Sequence, residues 1–254
     1  MRSYATAQNT GGRGLQCDAA AVRTAPDGTR AYVVLDGIGT SEAIRDWTRR
    51  TAARLAIRAA RRGDAESALR SLYEEIAADP DRQDPYTRRY MPSAAAVVAV
   101  AAPGRSLGLA WAGDSRAYLL RRGIAYRLTD DHNERRVLPP AATNPEGGSR
   151  NVITSYLGAV YTDQEALDIY GHPAIEAAAR PLVDGDRLVL ASDGAYEPHD
   201  EAGHDLYVEL DDGDLRGIAQ GFVDLAVETS RKSRPEGEWK YVDNATVLIA
   251  ELTD

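Results

Sequence analysis

Three short apolar runs in this chain end in an aspartate followed by a small or polar residue: AYVVLDGIG around Asp36, LGLAWAGDSR around Asp114 and RLVLASDG around Asp193. A fourth aspartate, Asp243, stands just ahead of another such run in DNATVLIAEL. Runs of this kind read as buried strands. Carboxylates at the ends of buried strands can converge at one edge of a core. Several anions crowded there are costly unless a cation compensates them. One Asp-Gly pair alone would signal no more than a turn. Four aspartates at strand ends point to a divalent-metal site.

The 254 residues suffice for one large domain or two small ones, and no linker or shift in composition marks a boundary, so a single domain over 1–254 is expected. With 43% hydrophobic and 27% charged residues the chain is of the folded, globular type. Its formal charge of −9 argues against nucleic-acid binding, which needs a basic face. The single cysteine, Cys17, excludes an intramolecular disulfide and a Cys-based structural zinc site. No run approaches 18 apolar residues and the first residues carry no apolar leader, so a cytoplasmic protein without a membrane segment is expected.

Residues 30–35 read as a strand ending at Asp36-Gly37. A helix is expected from about Thr40 to Arg62, with an apolar stripe of Ile44, Trp47, Thr51 and Leu55 and a cap from Thr40 or Ser41. A second should run from about Asp64 to Ala78, with Ala65, Ala68, Leu69, Leu72 and Ile76 facing inward. The segment 79–92 reads as a proline-punctuated loop. Strands at 94–102, 107–112, 116–122 and 124–128 follow in hairpin spacing, hence antiparallel. The stretch 133–150 is loop-like, and 174–180 suits helix or strand. Leu215, Ile218, Ala219, Phe222, Leu225 and Ala226 mark a helix over about 214–230, and 245–252 is the last strand. This order suggests sheets covered by helices.

The motifs RGLQCD (13–18), VVLDGIG (33–39), GDSRAYLL (113–120), LTDDHN (128–133), NVITSYLG (151–158), LVLASDGAYE (188–197) and DNATVLIAEL (243–252) together resemble the metal-dependent Ser/Thr protein phosphatases of the 2C type (PPM family), in their compact bacterial form. The resemblance implies an α+β fold, a four-layer αββα sandwich of two packed antiparallel sheets flanked by helix pairs, and makes 174–180 a strand. It implies hydrolysis of phosphoserine and phosphothreonine in proteins by a metal-activated water, with two ions of Mn²⁺ or Mg²⁺. By matching motifs, Asp36 bridges the ions and the Gly37 carbonyl binds the second. Asp193 and Asp243 hold the first ion, and Asp114 and Glu197 match the positions of a third. Arg13 grips the phosphate, and Asp18 orders a metal-bound water. The expected partner is a phosphoprotein substrate, opposing a Ser/Thr kinase. Hard oxygen ligands suit both metals, and an arginine can meet a phosphate through two parallel hydrogen bonds.

Two residues depart from the family pattern. Cys17 stands where an acidic ligand of the second ion is usual, and a thiol is a poor ligand for a hard cation. Ile38 stands where a protic or sulfur-bearing residue is usual, and it cannot protonate a leaving group. His132 in LTDDHN is a candidate substitute, set against a structural role. Cys17 leaves three readings: water takes the vacant ligand place in a weakened enzyme; the chain is an inactive phosphatase-like signalling module that binds a partner or phosphopeptide; or a thiolate binds a metal and makes the enzyme redox-sensitive. A metal-dependent nuclease would share the carboxylates, but the acidic composition argues against it. The arginines of the first helix, Arg45 through Arg62, form a basic face, either solvated or a docking surface. Arg88 and Arg89 could face substrate or solvent.

Overall fold

The computed structural model describes residues 4–211, 213–233 and 242–252. Three strands come first: β1 (Tyr4–Asn9), β2 (Ala19–Thr24) and β3 (Arg30–Gly37). Two long helices, α1 (Glu42–Arg62) and α2 (Ala65–Ala77), lead into two single-turn helices, α3 (Pro80–Gln83) and α4 (Pro85–Arg88). Next are β4 (Ala94–Ala101), β5 (Leu107–Ala112), β6 (Arg116–Arg121) and β7 (Ile124–Arg127). Helices α5 (Glu134–Val137) and α6 (Asp163–Tyr170) precede β8 (Glu176–Arg180) and β9 (Arg187–Ala191). Helices α7 (Asp193–Ala202), α8 (Leu206–Asp211) and α9 (Leu215–Lys232) then lead to β10 (Ala245–Glu251).

The strands form two five-stranded sheets, ordered β1-β10-β9-β6-β7 and β2-β3-β4-β5-β8. Every pairing is antiparallel. Strand β3 shows why the sheets stack. Alternate side chains of a strand point to opposite faces, and both faces of β3 are buried: Ala31, Val33 and Leu35 pack toward α1 and α2, Tyr32 and Val34 toward the other sheet. Strand β10 does the same, with Val247 and Ile249 under α9 and Leu248 and Ala250 between the sheets. Three apolar layers thus hold four structural layers together, the expected αββα sandwich.

Helix α1 begins at Ser41, whose side chain accepts the Ile44 N–H, and ends at Gly63 in the left-handed conformation. Its buried face is mostly small (Thr51, Ala52, Leu55, Ala56, Ala59 and Ala60), which lets it lie close on the sheet. Part of its arginine face is occupied within the fold: Arg54 and Arg58 pair with Glu75 of α2. In α9, Val223 and Val227 are buried while Leu225 is only half-buried. The segment 79–92 is more ordered than its reading as a loop. Asp79 and Asp84 each cap one helical turn with a proline at its first position. A further turn, α5, lies inside the stretch expected to be a loop, capped by Asn133. Strand β1, strand β2, α6, α7 and α8 are too short or too weakly periodic to be read from the sequence alone. Among the described residues, no helix is long and apolar enough to cross a membrane.

Pairing register decides which strand ends share an edge. Gly37 lies opposite Ala94, Ala96 opposite Ala112, and Ala19 opposite Leu35. In the other sheet Asn9 lies opposite Ala245, and Ala191 faces both Val247 and Arg116. The ends of β1, β3, β5 and β9 and the starts of β2, β4, β6 and β10 therefore meet at one end of the sandwich.

Candidate active site

That end carries a cavity of about 720 Å³. Of the residues singled out in the sequence, Arg13, Asp36, Gly37, Asp114, Asp193, Glu197 and Asp243 all line it. Asp18 and Cys17 lie behind its wall, 2% and 1% exposed.

Each side chain is placed by its element. Asp36 is in the last turn of pleat of β3. Asp193 is the first residue of α7, directly after β9, where a helix N-terminus favours an anion. Its Oδ1 accepts the Gly194 N–H at 2.5 Å. Asp243 stands just before β10 and accepts the Asn244 N–H at 2.6 Å. Asn244 in turn lashes down the segment that carries Arg13 and Cys17: its Nδ2 donates to the carbonyls of Thr10 and Leu15, and its Oδ1 accepts the Cys17 N–H. Arg13 forms an ion pair with Asp243 and donates to Thr40 Oγ1 at 2.8 Å.

Two glycines are required by close approach. Gly113, before Asp114, has φ +124°, and a Cβ there would lie 2.4 Å from the Ala95 Cβ. A Cβ on Gly194 would lie 2.2 Å from the Asn244 carbonyl oxygen. Both allow backbone to pass where a side chain could not.

The electrostatics are those of crowded anions. Burial, and then the charges of Asp18, Asp193, Asp243 and Asp114, hold the Asp36 carboxyl well above the usual carboxylate range. Asp114 is raised in the same way by burial and by Asp193. Burial pushes Asp18 up to about 8 and Glu197 up to about 7, each aided by Asp193. Asp18 is also tied to the site mechanically, because Ser192 Oγ donates to its Oδ2 at 3.0 Å while accepting the Thr246 N–H.

Oxygen donors, mutual repulsion and low exposure fit a hard cation. A further observation agrees: Asp114 Oδ1 is buried and has no hydrogen-bond partner among the described residues. As the side chains are placed, no three His, Cys, Asp or Glu groups among the described residues close on one point tightly enough to hold an ion alone. Water would complete the coordination, as is usual for Mg²⁺.

The structure separates Cys17 from the cavity. Its Sγ turns toward α1 and donates to the Ser41 carbonyl at 3.8 Å. Ile38 sits on the rim, 38% exposed. His132 does not reach the cavity. It is fully buried, its Nδ1 accepts the Gly113 N–H at 3.3 Å and its Nε2 lies 2.9 Å from Glu176. It supports the turn ahead of Asp114 and faces no solvent. Sequence reasoning missed Arg135, Arg150 and Asn151, which also line the cavity. They stand in a stretch without periodicity, and their one signal is position, since Arg150 immediately precedes the NVITSYLG motif.

A model of the family "Protein phosphatase 2C" matches residues 15–137. Human protein phosphatase 1F is 28% identical over 239 residues, 89% of this chain and 50% of that protein. The probable protein phosphatase 2C 8 of Oryza sativa subsp. japonica is 36% identical over 111 residues, 40% of this chain and 27% of that protein. The chain thus spans half or less of the length of these relatives. The fold matches that of the S. agalactiae serine/threonine phosphatase with a TM-score of 0.76 at 19% identity, covering 98% of this chain and 99% of the other. The motifs, the fold and these likenesses agree: the chain is similar to the protein phosphatase 2C family in sequence over residues 15–137 and in fold over nearly its whole length.

Proposed function

We propose that the cavity hydrolyses phosphoserine and phosphothreonine in proteins, that residues 1–254 act as one 2C-type unit, and that the protein works in the cytoplasm against a Ser/Thr kinase. The observation that carries this reading is the pairing of Arg13 with Asp243 at the wall of a cavity that also carries the carboxylates of Asp36, Asp114, Asp193 and Glu197. Such a wall offers a cation for a phosphoryl group beside oxygen donors for metal ions.

The family is metal-dependent. Two ions, Mn²⁺ or Mg²⁺, suit the donor set: Asp36 would serve both, the Gly37 carbonyl would hold the second, Asp193 and Asp243 the first, and Asp114 with Glu197 a third. Bound there, the ions supply a water of lowered pKa and charge stabilisation for a phosphoryl group in displacement. Each Asp243 oxygen already accepts one donor here, and each keeps a lone pair for an ion.

The chain's own residues do the rest. Arg13, fixed by Asp243 and Thr40, is held ready to receive phosphate oxygens rather than swinging free. Asp18, anchored by Ser192, accepts hydrogen bonds from behind the metal ligands and orders water there. Ile38 presents only hydrocarbon at the rim, so the leaving alkoxide takes its proton from solvent. That feature supports a slow enzyme, and its limit is the second reading, a phosphatase-like module without turnover.

The test is to titrate Mn²⁺ and Mg²⁺ against an aryl phosphate and a phosphoserine peptide. Metal-dependent release of phosphate from both is expected. No release at millimolar metal, with one ion still bound by calorimetry, would leave the non-catalytic module standing instead.

A further inference from the structure

Beside the carboxylate cavity lies a second one of about 520 Å³, and the two share Ile38, Asn151 and Ile153. Ile38, Asn151 and Ile153 therefore border both cavities. The second cavity is lined by Arg82, Arg88 and Arg89 and by no acidic residue, on a protein whose formal charge is −9.

These charges are not spent within the fold. Arg82, 2% exposed, donates to the carbonyls of Gly158 and Pro92. Arg88 donates to the Arg82 carbonyl at 3.0 Å. Arg89 lies over the Tyr86 ring at 5.5 Å. Among the described residues none of the three has a carboxylate within ion-pair distance, whereas Arg54, Arg58, Arg70, Arg116, Arg121 and Arg136 all do. Asp84, in the same segment, has its carboxylate engaged by the Tyr86 and Thr87 N–H groups and the Thr87 hydroxyl.

The support is rigid. The two Asp-Pro steps at 79–80 and 84–85 fold α3 and α4 as capped single turns. Tyr86 and Tyr90 pack edge to face at 5.6 Å and stay 66% and 71% exposed. Exposed tyrosines next to unpaired arginines are the mix that recognises a peptide chain.

We propose that this groove takes the acidic flank of the phosphorylated segment, with Arg88 and Arg89 selecting carboxylates beside the phosphoresidue. The proposal rests on the phosphatase reading of the neighbouring cavity. Arg82, buried and bonded to two carbonyls, supplies fixed positive potential, while Arg88 and Arg89 make the contacts.

The experiment uses two phosphoserine peptides of equal length, one with Asp and Glu around the phosphoserine and one with Ala and Gln. For each, kcat/KM is measured, and binding of labelled peptide is followed in parallel by fluorescence anisotropy. The native chain should prefer the acidic peptide by about tenfold, in a ratio that falls as salt rises. In Arg89→Ala and in Arg88→Ala/Arg89→Ala that ratio should move toward one, chiefly through KM. Arg88→Glu/Arg89→Glu should invert it. Equal handling of the two peptides by the native chain would overturn the proposal, as would an unchanged ratio in the double variant. So would binding of a single-stranded oligonucleotide as tight as that of the acidic peptide. If neither peptide nor an aryl phosphate is hydrolysed, the phosphatase reading fails, and the anisotropy ratio still decides the groove.

Discussion

The Tyr196 hydroxyl donates to the backbone carbonyl of Asp114 at 2.9 Å, joining α7 to the turn that carries a cavity carboxylate. The same ring lies under Arg116, whose guanidinium carbon is 3.8 Å from the ring centroid. Arg116 makes a two-pronged pair with Asp131 and a further one with Asp200. One buried aromatic thus fastens a strand start, a helix and the wall of the site.

Removing only the hydroxyl isolates that bond. Tyr196→Phe keeps the ring under Arg116 and leaves the Asp114 carbonyl without its donor, so a loss of about 1–2 kcal/mol in urea unfolding is expected. Tyr196→Leu removes the ring as well and should cost about 3 kcal/mol or more. Equal stability of Tyr196→Phe and the native chain would show that the carbonyl finds another donor.

Asp193→Asn should lower metal-dependent hydrolysis of an aryl phosphate by at least about 100-fold. It should not lower the melting temperature of the metal-free protein, since it removes one charge from a crowd of mutually repelling carboxylates. The native chain should gain in melting temperature when Mn²⁺ is added, and the variant should lose most of that gain. A variant that melts lower without metal, or keeps the full gain, would assign Asp193 a structural part instead.

Much of this end of the molecule was legible because a strand buried on both faces has to be a continuous apolar run, and Asp36, Asp114 and Asp193 interrupt such runs where they leave the core. The four layers follow from the same runs together with the periodicity of α1, α2 and α9. Arg135 and Arg150 were not legible, because their positions depend on how an aperiodic loop folds back over the cavity. Helix α7 was hidden for another reason: it starts on Asp193 itself, so the residue that ends the strand signal also begins the helix. The direction of Cys17 was equally invisible. Spacing places it next to Asp18, but only the packing of α1 shows that its sulfur turns toward Ser41.

Cys17→Glu tests what that position withholds from the site. The thiol is 1% exposed and the backbone N–H is held by Asn244, so the longer acid must reorient toward the carboxylates or crowd Ser41. Tighter Mn²⁺ binding by calorimetry and higher turnover are expected, with a loss of about 1–3 kcal/mol in metal-free stability from overpacking and added charge. Unchanged affinity would mean that the backbone at 17 keeps any side chain out of reach of the ions.

The pH dependence of stability has a separable source away from the carboxylates. His172 is stacked on His132 at 4.2 Å, with Nε2 at 2.8 Å from Thr154 Oγ1 and Nδ1 at 2.8 Å from the Pro173 carbonyl. Tyr170, Arg136 and Glu176 also face it. Burial, then His132, pushes His172 from its ordinary value down to about 4. A base whose folded pKa is depressed binds its proton first in the unfolded chain, so its contribution is complete above about pH 6.5 and is lost as pH falls toward 4. Burial raises Glu176, but its bonds to Arg136 and His132 outweigh this and bring it to about 2, so its contribution fades only below about pH 4.5. The raised carboxyls of the metal-free cavity act with the opposite sign, and the quantity to measure is therefore a difference between proteins. His172→Gln should be less stable than the native chain at pH 7.5, and the deficit should narrow between pH 6.5 and 4.5 as the native chain loses the histidine's share. Denaturant melts across that range check it, and a deficit independent of pH would show that His172 contributes only its packing.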